Sequence, residues 1–221
     1  MIREFIQNCT LATQVALTIS CLLWLWKFRS LPREIKRLGP FLFITLFVQF
    51  YSVYLSRQGL PNLYLLHIYT FLELLSLAYF YSYLLKDQPA AQKAIPLLTG
   101  TVSVLIIANT IFLEPITGFN SNAKSLVQIS LIGAAIYYFF IAFGKVDLAR
   151  PLPRALILVN FAVMLYYSST LFIFMSSRFL NDNHLAPSLH NLFWAINALI
   201  YVIFVLLIFV SLWTVAFRKT R

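Results

Sequence analysis

Residues 66–80 read LHIYTFLELLSLAYF, and this stretch decides the fold. It is nearly continuous apolar sequence, yet it carries Glu73 at its centre and His67 near one end. An apolar run extending from about residue 63 to 85 is long enough to cross a bilayer, which takes roughly 20 residues. It is one of seven such runs, at about 5–26, 41–56, 63–85, 94–113, 125–143, 155–176 and 187–215. The chain of 221 residues is 61% hydrophobic and only 11% charged. Soluble domains carry about 25% charged residues, and a water-soluble core could not hide this much apolar surface. The expected fold is all-α, a polytopic membrane bundle of seven helices forming one domain over residues 1–221. No room is left for a soluble catalytic or DNA-binding domain.

The connections carry the charge. KFRSLPREIKRLGP (27–40) is the most basic of them, and Pro and Gly punctuate most of the rest. One set of alternate connections, with the C-terminal tail, holds thirteen Lys and Arg residues. The other set, with the N-terminus, holds four: Arg3, Arg57, Lys124 and Arg178. The basic set is expected in the cytoplasm, with the N-terminus outside. The net charge of +10 is therefore read as a topology signal rather than a nucleic-acid footprint. Clustered Lys and Arg beside a membrane also attract anionic head groups. The first run is too long for a signal h-region and lacks a small-residue cleavage site, so it is read as a helix. Cys9 and Cys21 form neither a disulfide framework nor a zinc pattern. All nine prolines are expected in loops or near helix ends, which counts against a transporter with broken helices.

Glu73 lies ten residues beyond Leu63, so about 15 Å deep. An acidic group there costs on the order of 2.5–3.5 kcal/mol on insertion scales. No Lys or Arg is expected at its depth, so a neutral, hydrogen-bonding Glu73 is expected. Helical offsets of three and four place Tyr69, Thr70, Glu73 and Ser76 on one face, pointing into the bundle. The last helix offers a matching stripe of His190, Trp194, Asn197 and Tyr201. Asn197 falls at about the depth of Glu73, with Trp194 and His190 nearer the outside, alongside Tyr69 and His67. Gln49 and Asn109 fall in the same outer half. These nine residues (Glu73, Tyr69, His67, Thr70, Trp194, Asn197, His190, Gln49 and Asn109) form the candidate ligand site. The competing reading of each is an interhelical hydrogen bond that locks packing. A polar stripe of Gln7, Thr10, Gln14 and Thr18 on the first helix is read as packing too.

Known chemistries find little support. His67, His184, His190, Glu114 and Asp182 would suit zinc by type. The paired last-helix histidines of the ceramidase and adiponectin-receptor type are absent, so no metal is expected. All seven lysines sit in loops or near helix ends, which disfavours a retinal-type Schiff base. NPxxY, a PQ dipeptide, GxSxG and a Gly-rich phosphate loop are missing. NCT at 8–10 matches a glycosylation sequon but lies at the membrane surface. No cofactor and no catalytic constellation are expected. The offset of six between His67 and Glu73 puts them about 120° apart on the helix, against an acid–base pair.

Three stretches carry a resemblance: LPNLYLLHIYTFLELLSL (60–77), FLEPITGFNSNAKSLVQISLIG (112–133) and LFWAINALIYVIF (192–204). With His67, Glu73, Asn120, Ser125, Trp194 and Asn197 at its motif positions, the chain resembles a group of small bacterial seven-helix membrane proteins of unknown function. The resemblance implies the topology and a bacterial inner membrane, and it supplies no activity. The leading expectation is a receptor-like or sensory protein. It would hold a small apolar or amphipathic ligand in the outer half and signal to a separate cytoplasmic or membrane partner. The alternatives are a proton-coupled transporter, an intramembrane lipid-modifying enzyme and a membrane scaffold.

Overall fold

The computed structural model describes residues 1–144, 154–182 and 187–217, with the side chains of 176–182, 187–188 and 190 outside that description. The described residues form eight helices and no strand: α1 (Ile2–Lys27), α2 (Arg33–Lys36), α3 (Gly39–Arg57), α4 (Leu63–Leu84), α5 (Pro89–Phe112), α6 (Ser121–Gly144), α7 (Arg154–Asp182) and α8 (Pro187–Ala216). All but the short α2 are long and apolar enough to cross a membrane. The chain is an all-helical integral membrane protein.

Two helices start well before the expected positions, and the cause is the same. PAAQK and SNAK are too polar to count as apolar run, but they form good first turns. Proline is tolerated in the first turn of a helix, and Ala, Gln and Lys are strong helix formers. Starting α5 at Pro89 places Pro96 two turns inside it, deeper than the position near a helix end that the span 94–113 implies. Its ring stands where an N–H would have bonded the Gln92 carbonyl.

The helices pack as a ring. α1 lies on α3 and α8, α8 on α7, α7 on α6, and α6 on α4, which returns to α3. α5 stands outside this ring, touching α4 and α6, and only 17% of its span is buried against 44% for α4. One apolar core runs through the bundle, from Leu17 of α1 through Leu42, Leu77, Val127 and Val163 to Ile208 of α8. With no hydrophobic drive between helices in lipid, close backbone approach and interhelical hydrogen bonds carry the specificity. Gly39 meets the Trp24 ring so closely that a Cβ would run into it, while Trp24 Nε1 donates to the Ile35 carbonyl at 3.3 Å. Ser211 of α8 donates to the Ala155 carbonyl of α7 at 2.8 Å. Gly59 turns the chain between α3 and α4 at φ +69°, a left-handed conformation that glycine adopts without strain.

Candidate functional site

The inward side of α4 carries Glu73, 1% exposed. Its carboxylate is shared between two other helices. Lys124 Nζ of α6 donates to Glu73 Oε2 at 2.5 Å, and Tyr167 Oη of α7 donates to Glu73 Oε1 at 2.9 Å. Lys124 is also 1% exposed. Its ammonium lies 5.1 Å from the Tyr69 ring centre, 5.6 Å from Phe174 and 5.8 Å from Tyr167, within cation–π range. The Tyr69 hydroxyl in turn meets Thr45 of α3 at 3.3 Å. The Glu73 cluster thus ties α3, α4, α6 and α7 together.

This corrects the expectation that no cation reaches Glu73. The apolar pattern places Lys124 in the connection ahead of a helix starting at 125. α6 begins at Ser121, so Lys124 sits in its first turn, beneath the α5–α6 loop. The α4 side chains tilt towards the N-terminus of that helix, which lifts the Glu73 carboxylate towards the α6 start. The four-carbon stem of lysine covers the rest. The isolated neutral acid gives way to a buried ion pair. Removing one partner of such a pair leaves an uncompensated charge, while replacing both is tolerated far better.

The loop above the pair is held from two sides. Glu114 is buried, accepts the Asn122 backbone N–H at the start of α6 at 3.0 Å, and accepts Asn109 Nδ2 at 2.8 Å. A carboxylate on the first amides of a helix satisfies orphan donors and complements the helix dipole. Asn122 Nδ2 closes the clasp on Asn109 Oδ1 at 3.2 Å. On the other side, His67 Nε2 meets the Gly118 carbonyl and its Nδ1 meets the Thr110 hydroxyl, both at 3.2 Å. A carbonyl only accepts, so Nε2 carries the hydrogen. Between these anchors Phe119 packs on Phe174 of α7 at 6.0 Å and on Trp194 of α8 at 5.6 Å.

Below the loop, Lys124 and Gln128 lie four residues apart on the inward face of α6, and Asn120, one residue ahead of the helix, continues the same spacing. All three are buried. Gln128 Nε2 donates to Thr170 of α7 at 2.9 Å, one turn from Tyr167. Among the described residues, both amide atoms of Asn120, Oε1 of Gln128 and Oδ1 of Asn197 are buried and make no hydrogen bond. Buried polar atoms in native proteins are nearly always satisfied, so each unmet one marks a place for water or a ligand.

The expected site residues separate into groups. Glu73 and Tyr69 meet at Lys124. Trp194 joins them through Phe174, at 6.1 Å between rings, and Asn197 lies three residues further along α8. Thr70 is buried but donates to the Leu66 carbonyl of its own helix at 2.7 Å. His67 and Asn109 serve the loop clasp and do not touch Glu73. Gln49 is half-buried and makes no side-chain hydrogen bond among the described residues. The His190 side chain lies outside the described residues, as does the whole of His184. Among the described residues, no three His, Cys, Asp or Glu side chains gather to hold a metal. On α1, Thr10 and Thr18 bond back to the Ile6 and Gln14 carbonyls.

Tyr167, Thr170 and Phe174 are the residues that sequence reasoning passed over; it places Lys124 in a connection and weighs Glu114 only as a metal ligand. The offset-four column of Asn120, Lys124 and Gln128 was the available signal, hidden by starting the helix at residue 125. No family model, no curated protein and no solved structure matches this chain, so the site rests on its own geometry.

Proposed function

We propose that this chain is a receptor-like or sensory protein of a bacterial inner membrane, with its basic end in the cytoplasm. A small amphipathic molecule would lodge between the Glu73–Lys124 pair and the α5–α6 loop. The observation that carries this reading is the set of unmet amide atoms of Asn120 and Gln128, four residues to either side of Lys124, and of Asn197. The surrounding rings of Tyr69, Phe174, Phe119 and Trp194 supply the apolar wall, and the amides fix a polar head. An occupant pressing on Phe119 would bear on α7 and α8 together, through Phe174 and Trp194. The output would pass to a separate partner. Native mass spectrometry of gently extracted protein tests the reading. The expected result is a retained small molecule that Asn120→Leu releases while the helices stay folded. Ordered waters alone on Asn120 and Gln128 would sink it.

A second reading is favoured by the division of the Glu73 carboxylate between α6 and α7. Neutralising one group would loosen two helices at once, as a proton-coupled carrier requires. Flux in proteoliposomes left unchanged by Glu73→Gln would remove Glu73 as the coupling group.

A further inference from the structure

At the opposite end of the bundle, residues of α1, α2, α3 and α4 and their connections line an open cleft of about 540 Å³. Arg33, Lys36 and Arg37 line it, with Phe28, Tyr79 and Tyr83 among the aromatic walls and no carboxylate in the lining. Among the described residues none of these three cations has an acidic partner. The Arg37 guanidinium lies 4.4 Å from the Tyr79 ring centre and 4.3 Å from that of Tyr83, one turn apart on α4. Among the described residues the guanidinium makes no hydrogen bond, so its N–H donors remain available for a bidentate acceptor. Lys36 lies 5.0 Å from the Phe28 ring, and Nζ donates to the Arg29 carbonyl at 3.3 Å, leaving two donors unused. Tyr83 accepts from Lys86 Nζ at 3.4 Å, so its own O–H can still donate.

We infer that this cleft binds a phosphate group carried on an apolar body, such as the head group of an anionic phospholipid. Three cations without counter-charges suit an anion. The rings fix Arg37 before the anion arrives, which limits the ordering cost of binding. The fork geometry of Arg37 fits a tetrahedral phosphate better than a diffuse negative surface. The cleft opens at the end of the spanning helices, where head groups lie, and its aromatic walls suit the start of a lipid tail.

The test uses the full chain in nanodiscs of phosphatidylcholine with added phosphatidylglycerol, and native mass spectrometry reads the retained lipid. Wild type should keep phosphatidylglycerol in preference to phosphatidylcholine. Arg37→Gln should lower that retention about fivefold, the factor expected for one basic residue at a membrane surface. Arg37→Lys, which keeps the charge and loses the fork, should lower it measurably too. Lys93→Gln removes an exposed charge outside the cleft and should change nothing. Added inorganic phosphate distinguishes the source: displacement of the lipid assigns a soluble phosphate compound, and no displacement assigns the head group. Equal losses in Lys93→Gln and Arg37→Gln would overturn the site in favour of diffuse surface charge. Full retention in the Arg37→Gln, Lys36→Gln double variant would overturn it outright.

Discussion

Lys124 and Arg37 stand near opposite ends of one bundle, and each lies against tyrosine rings. Their surroundings differ in one respect that governs everything else. Lys124 is sealed beneath the α5–α6 loop and has a carboxylate at 2.5 Å, whereas Arg37 is half-exposed and has none. Aromatic faces stabilise a cation by about 0.5–1 kcal/mol where water still reaches it, and they do not replace a counter-charge once water is excluded. The buried cation therefore depends on its partner for the fold, while the exposed one remains available to something outside the chain.

The comparison breaks most visibly at the buried end. Glu73→Ala or Lys124→Ala should destabilise the protein by about 3–5 kcal/mol, because each strands the opposite charge. The double variant Glu73→Gln, Lys124→Met should recover much of that loss. Thermal unfolding of purified protein checks both, and additive losses in the double variant would mean that the two groups do not interact. Tyr167→Phe is the intermediate case. It removes one hydrogen bond to a charged acceptor and should cost about 1.5–3 kcal/mol in the same measurement. Arg37→Gln should be smallest, about 0.5–1 kcal/mol, since only an exposed cation–π contact goes. A larger cost would mean that Arg37 supports the fold as Lys124 does.

The fold was legible because seven apolar runs of membrane-crossing length admit few other readings. Glu73 was legible for a related reason: a carboxyl group within such a run is conspicuous at any depth. Its partners were not. Lys124 is 51 residues away and Tyr167 is 94 away, and no local pattern reports pairing over such distances. Lys124 also sits among polar residues that look like membrane surface, and Tyr167 is one of twelve tyrosines in a chain rich in aromatic rings. His67 and Asn109 stand out as polar residues of the outer half, but Gly118 and Glu114, which they meet, lie in the loop after α5. Loop residues carry no periodicity from which such contacts can be read.

The separation of Glu73 from Lys124 along the chain is also a separation in time. Ribosomes add about 5–20 residues per second, so the 51 residues between them take about 3–10 s to make. For most of that interval α4 is complete and α6 does not yet exist. Glu73 must either enter the bilayer without its cation or wait beside the insertion machinery until the lysine arrives. Lys124, coming second, meets a carboxyl group already made. The ion pair that joins these helices in the finished protein thus orders their assembly during synthesis, with α4 holding a place that only α6 can fill.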